Sequence, residues 1–298
     1  MENFVLTITF LLIGMALRRT PLFPKETSQV LNLLVIHVSL PALVLQQVPK
    51  LVFSSQILVP IVMPWAMLTI FAVLILLAGN MLHWEKKTIG ALLLLVPLGN
   101  TSFLGIPMVR ALLGEEGVPY AVLYDQLGSF LALATYGSVV LAIYGGGDRP
   151  SGAMVCRKVL SFPPFLALLA ALMLRGHLLP APANALLASL AATLVPVVMI
   201  AVGFQLTPRL TPTSLQPLCL GLLGKLVVAP LLALACCRIF DLDGLAVRVA
   251  ILESGMPPMV SAGALAIMAG LAPELTAAMI GLGILASFVS LPLLGQLL

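Results

Sequence analysis

Asn100, Thr101 and Ser102 stand in a row within Leu95-Val-Pro-Leu-Gly-Asn-Thr-Ser-Phe-Leu-Gly-Ile-Pro107, inside an apolar segment running from about 88 to 113. These are the residue types that cap helix starts. Pro97 and Pro107 each delete a helical donor and clash one turn back. In lipid a helix must satisfy its own backbone, so this cluster must be buried in protein or line a cavity. The spacing predicts a helix broken near the bilayer midplane. A half-helix that begins there presents free N–H groups and the positive end of its dipole, which is an anion site.

A second stretch has the same character. Glu253-Ser-Gly-Met-Pro-Pro-Met-Val-Ser261 interrupts an apolar run from about 245 to 270. A shift of 156 residues lays Gly99 on Gly255, Gly114 on Gly270, and the Asn-Thr-Ser cluster on Met256-Pro257-Pro258. Pro257 and Pro258 suit a first helical turn. Two interrupted apolar segments at matching places in two halves point to a transporter binding site. The candidate binding residues are Gly99, Asn100, Thr101, Ser102, Gly255, Met256, Pro257 and Pro258, with a carboxylate as the simplest anion.

Three charged residues lie well inside apolar spans, away from their ends. Glu253 opens the second break and either holds a proton or a sodium ion or caps loose backbone donors. Asp125, in Tyr124-Asp-Gln126, faces either the core or the membrane surface. Lys225 is too deep in its span to snorkel easily. It pairs with Asp125 or Glu253, replaces a coupling cation, attracts the anion, or forms a structural ion pair.

The elements that must position these residues follow from composition. Hydrophobic residues make up 61% of the 298 and charged residues 9%, with mean hydropathy +1.15, so the chain reads as a polytopic membrane protein. Ten helix-length windows can be drawn, at about 4–18, 28–47, 56–82, 88–113, 118–144, 158–175, 183–206, 215–238, 245–270 and 274–297. Arg18-Arg19 and a polar loop follow the first window with no small-residue cleavage site, so it is expected to be retained. The longest polar connector, Gly145–Gly152, separates five windows from five. An odd number per half inverts the second half: an all-α fold of ten transmembrane helices in a 5+5 inverted repeat, with two broken crossover helices. The expected units are 1–145, a cytoplasmic linker 146–157, and 158–298. Pro41 and Pro196, 155 apart, are expected to kink corresponding helices.

With the N-terminus outside, nine positive residues (Arg18, Arg19, Lys25, Lys86, Lys87, Arg149, Arg157, Lys158, Arg209) face the cytoplasm and five (Lys50, Arg110, Arg175, Arg238, Arg248) do not. That bias places both termini outside a plasma or bacterial inner membrane. The four cysteines read as small buried hydrophobes, and neither they nor the histidines have metal-ligand spacing. No cofactor is expected beyond Na+ or H+ coupling. No phosphate-binding loop is present, so transport runs on gradients. A channel wants a continuous polar stripe and an enzyme wants a nucleophile–base set; the sequence offers neither. The expected partners are a small organic anion, the bilayer and a second copy of the chain, not nucleic acid.

Pro41-Ala-Leu43, Gly99-Asn-Thr-Ser-Phe-Leu-Gly-Ile-Pro107, Gly114-Glu-Glu-Gly117, Tyr124-Asp125 and Met256-Pro257-Pro258 together resemble the auxin efflux carrier family in its short bacterial form, over nearly the whole chain. The resemblance implies a scaffold of spans 1, 2, 6 and 7 and a transport unit of spans 3–5 and 8–10 with crossing broken helices. It also implies organic-anion cargo: auxin in plants, malate or malonate in bacteria. The plant carriers have an asparagine at the second crossover where this chain has Met256-Pro257-Pro258, which weighs against an indole acid. Glu253-Ser-Gly-Met256 is also similar to the sodium-binding segment of bile-acid/sodium symporters, and implies as an alternative a sodium-coupled symporter of larger organic acids.

Overall fold

The computed structural model describes residues 2–51, 55–146, 151–174, 179–206 and 215–298. Arg149, Arg175 and Arg209 of the charge count, and residues 147–150 of the expected linker, lie outside them. The described chain is helical: α1 (Glu2–Arg18), α2 (Thr27–Lys50), α3 (Leu58–Met81), α4 (Lys86–Leu95), α5 (Thr101–Leu113), α6 (Glu115–Gly145), α7 (Gly152–Leu160), α8 (Pro163–Met173), α9 (Ala181–Gln205), α10 (Leu215–Ile239), α11 (Leu245–Ser254), α12 (Val260–Met268) and α13 (Pro273–Gly295). Six of these, α2, α3, α6, α9, α10 and α13, are long and apolar enough to cross a membrane, and α7 with α8 makes a seventh if that bent pair is one span. Exposed Val62, Val73 and Leu77 on α3 and Val289 and Leu293 on α13 are surface that suits acyl chains rather than water.

The helices sort by packing into two groups. In one, α1 lies along α9, and α2 packs on α8 and α9. A Cβ on Gly14 would come 2.1 Å from the Ile200 carbonyl oxygen, and one on Gly203 2.1 Å from that of Leu11, so glycine lets the α1 and α9 backbones touch. Arg18 closes this contact by donating to the carbonyls of Phe204, Gln205 and Leu206 at 3.0–3.2 Å, at the negative end of α9. Pro41 follows a π-helical turn (Val35–Ser39) in α2, and Pro196 follows Thr193 in α9. Ser39 and Thr193 meet at these two places through their hydroxyls at 2.7 Å. In the other group α3 packs on α6 and α11, and α4 on α12 and α13.

Two expectations need correction. The sixth window is not one straight helix, because α7 and α8 meet at 67°. Phe162 precedes Pro163-Pro164, which pushes it to an extended φ/ψ of −84° and 114° and restarts the helix at the prolines. Ser161 and Phe162 therefore form an elbow, and Arg157 and Lys158 sit on the short arm before it. The cysteines are not uniformly buried: Cys237 is, but Cys156 and Cys219 are exposed.

Candidate functional site

The two interruptions meet. Helix α4 ends at Leu95 and α5 begins after Asn100; α11 ends at Ser254 and α12 begins after Met259. Between them Gly99 and Pro258 form an antiparallel bridge. The Asn100 N–H donates to the Pro257 carbonyl at 2.8 Å, and the Met259 N–H to the Leu98 carbonyl at 3.0 Å. In this pattern Gly99 and Pro258 are the pair that exchanges no hydrogen bond, so the N–H that Pro258 lacks is not needed.

The bridge also fixes how the halves correspond. Residues 86 and 95 bound α4 and residues 245 and 254 bound α11, so each bound recurs 159 residues on, as do the caps Asn100 and Met259. The two hydrogen bonds exchange under that same shift. The local match is thus 159 residues rather than the expected 156, and Asn100-Thr101-Ser102 stands opposite Met259-Val260-Ser261 rather than Met256-Pro257-Pro258. Pro257 and Pro258 are correspondingly not in the first turn of α12. They lie before its cap, in the extended backbone that a proline imposes on itself and on the residue before it. Pro107 does not break α5 either. It follows a π-helical turn, Thr101–Gly105, whose wider winding removes the need for its missing donor.

The polar side chains of the first break have partners that sequence spacing did not predict. None of Asn100, Thr101 or Ser102 caps α5 with its side chain. Thr101 donates to Asp125 Oδ1 at 2.6 Å and Ser102 to the same oxygen at 2.8 Å, while Gln126 donates to Asp125 Oδ2 at 2.7 Å. Asp125 is 2% exposed, which settles its position in favour of the core. The Asn100 carbonyl takes the Gly105 N–H at 2.9 Å, but the Asn100 side-chain nitrogen Nδ2 is buried with no hydrogen-bond partner. An unpaired buried amide donor is costly.

Glu253 is fully buried on the last turn of α11, and neither carboxylate oxygen has a hydrogen-bond partner. It abuts Gly105: a Cβ there would fall 2.3 Å from Glu253 Oε2, so only glycine leaves room for the carboxylate. Lys225, on a π-helical turn of α10 (Gly224–Val228), is 4% exposed and donates to the Ser254 carbonyl at 3.2 Å. It forms no ion pair with Asp125 or Glu253; the ion pair among the described residues is Arg110–Glu115. Lys225 also borders Gly99, where an added Cβ would sit 3.2 Å from Nζ. Gly255 packs against Pro230, away from the bridge, and Met256 beside Gly99 is fully buried.

The structure thus brings Gly99, Asn100, Thr101, Ser102, Asp125, Lys225, Glu253, Met256, Pro257 and Pro258 to one place, and sets Gly255 behind it. Sequence reasoning missed Gln126 and Gly105 as members. Gln126 was visible beside Asp125, whereas Gly105 becomes meaningful only once Glu253 is seen against it.

The family model described as "Membrane transport protein" matches residues 1–146 and 149–294. An uncharacterized transporter of Methanocaldococcus jannaschii is 26% identical over 266 residues, covering 86% of this chain and 85% of that one. An uncharacterized transporter of Methanothermobacter thermautotrophicus is 28% identical over 304 residues, covering 98% and 96%. This chain is a multi-pass membrane protein that belongs to the auxin efflux carrier family of membrane transporters, not to an enzyme family.

Proposed function

We propose that the protein is a secondary transporter of small organic anions, carboxylates of the malate or malonate class, working by alternating access. The observation that carries this reading is Asn100: its N–H is committed to the bridge, its side-chain Nδ2 is buried without a partner, and it stands at the start of α5, whose N-terminus suits an anion. The anion binds α5 N–H groups, with the Asn100 amide orienting it. Thr101 and Ser102 act through Asp125, which fixes the turn that presents those groups. The unpartnered Glu253 carboxylate supports coupling to sodium or a proton beside the same break. The reciprocal bridge and the 159-residue correspondence support a 5+5 inverted repeat of ten spans with units 1–145 and 158–298, and the packing groups support a scaffold and a moving unit. Both termini outside, and a homodimer, complete the proposal.

Asn100→Ala separates binding from capping. Losing one hydrogen bond to a charged group costs roughly 1.5–3 kcal/mol, about ten- to a hundredfold in affinity. Malate or malonate binding to the purified variant should weaken by that factor with little change in melting temperature. Normal affinity with a lowered melting temperature would leave Asn100 as a structural residue only. Orientation is tested by Ser151→Cys, which should react with an impermeant maleimide from the cytoplasmic side alone; labelling from outside in intact cells would reverse the topology.

A further inference from the structure

Away from the bridge, a chain of polar groups joins the two packing groups. Arg110, in the last turn of α5, holds Glu115: Nη2 donates to Oε1 at 2.9 Å, and Nε lies 2.7 Å from Oε2 as an ion-pair contact without a hydrogen bond. Glu115 Oε1 also accepts from Gln47 Nε2, and Gln47 Oε1 accepts from Lys50 Nζ at 3.3 Å. Gln47 is 3% exposed. The long-range bonds Ser39–Thr193 and Arg18 to Phe204–Leu206 stay within the α1, α2, α8, α9 group. Thr101–Asp125, Trp65–Leu127, Tyr136–Leu93 and Lys225–Ser254 stay within the other. Gln47–Glu115 crosses between them.

The pair also stands between two cavities. Glu115 and Lys50 border one of about 520 Å³, and Arg110 borders another of about 250 Å³ together with Pro107 and Pro196. A guanidinium takes any carboxylate by charge-assisted hydrogen bonding, whether the carboxylate belongs to the protein or to a small molecule. Lys50, Glu115 and Glu116 line the larger cavity, and Arg110 holds Glu115 from the side of the smaller one.

We propose that Arg110 is a transient binding residue for a small carboxylate and that Glu115 occupies it in this conformation as an internal substitute. Exchange of Glu115 for the incoming carboxylate releases Gln47 and uncouples the two helix groups, so cargo arrival and freedom to move are one event. This rests on the carboxylate-transport reading, and its test separates the two.

Malate affinity is measured for the full chain in nanodiscs. Glu115→Gln keeps the volume, removes the competing charge and should tighten malate about tenfold. Arg110→Gln should weaken it about tenfold. The double variant should match Arg110→Gln alone in malate affinity, since Glu115 competes with the carboxylate only at Arg110. Single variants that lower the melting temperature but leave malate affinity unchanged, or additive effects in the double, would overturn the proposal. A second measurement needs no cargo. Val195→Cys, bordering the smaller cavity, is placed in a chain whose four native cysteines are replaced. Impermeant maleimide should label it several-fold faster with Glu115→Gln than without. An unchanged rate overturns the latch. Faster labelling without binding of malate, malonate or succinate keeps the latch and overturns its carboxylate trigger along with the carboxylate reading of the crossover.

Discussion

The two breaks are the same backbone device carrying different chemistry. Each ends a ten-residue helix, spends five residues crossing, restarts a helix, and gives the other one N–H and one carbonyl. Yet the first restart carries Asn100, Thr101 and Ser102, and the second carries Met259, Val260 and Ser261. In the last turn before the break the first helix has Leu94, fully buried, and the second has Glu253 at the corresponding position, equally buried and with both carboxylate oxygens unpartnered. The crossing itself is shared by the two segments. On the proposed function, the few side chains that differ would divide the labour, the first half presenting the anion-binding amide and the second the carboxylate suited to a coupling ion. Breaking either set of side chains should therefore leave the other half's task standing.

The largest expected effect belongs to the first half. Asp125 accepts from Thr101, Ser102 and Gln126, all in or beside the core. Asp125→Ala strands three donors, at about 1 kcal/mol or more each, so stability should fall by roughly 3 kcal/mol. Chemical or thermal denaturation of the purified variant reads this. Asp125→Asn should recover much of the loss, because its Oδ1 still accepts both hydroxyls, while its amide faces the Gln126 donor. A melting temperature unchanged in Asp125→Ala would mean that Asp125 does not organise the α5 start.

The second half should lose ion response and keep anion affinity. If the Glu253 carboxylate holds sodium, sodium at a hundred times its Kd stabilises the wild-type chain by about 2.7 kcal/mol. Glu253→Gln should abolish that stabilisation, and in sodium-free buffer should melt no lower than wild type, since it removes a buried, unpaired charge. Malate affinity without sodium should be unaffected. If sodium stabilises neither protein, the same pair measured across pH decides for a proton, and a pH response identical in both would remove Glu253 from coupling. Lys225→Ala enters the same assay. Its ammonium is bonded to the Ser254 carbonyl rather than to either carboxylate, so sodium response should survive it.

The sequence announced the breaks because proline, glycine and polar residues inside an apolar segment have no lipid-facing solution. It announced their pairing less accurately. The 156-residue match aligned letters, whereas the 159-residue match aligns helix ends, and only hydrogen bonds between the halves reveal which is physical. Thr101 and Ser102 had the right types for caps, but a cap is a local contact, and Asp125, on another helix, offers a charged acceptor in a buried site. That choice is tertiary, so local spacing could not contain it. The elbow before α8 was legible in Phe162-Pro163-Pro164 yet hidden by a continuous apolar window, since hydropathy averages over backbone geometry. The Arg110–Glu115 ion pair was present as two residues five apart, but its link to Gln47 required the fold.

The smallest predicted effect probes the bridge itself. Pro258 and Gly99 face each other as the pair that exchanges no hydrogen bond, so neither residue's N–H holds the halves together. Pro258→Ala keeps both bridge bonds, and its cost arises in the unfolded chain, which gains freedom: about 0.4–1 kcal/mol, read as a slight fall in melting temperature with malate affinity unchanged. Gly99→Ala brings a methyl group 3.2 Å from Lys225 Nζ, the movable tip of a long side chain, so it should loosen the lysine's bond to Ser254 and otherwise be tolerated. Met259→Pro is the contrast. It deletes the N–H that reaches the Leu98 carbonyl and leaves that buried acceptor without its donor, at about 1–3 kcal/mol. If Pro258→Ala proved as damaging as Met259→Pro, the halves would be held by proline stiffness rather than by two reciprocal hydrogen bonds, and the local two-fold reading of the crossover would fail.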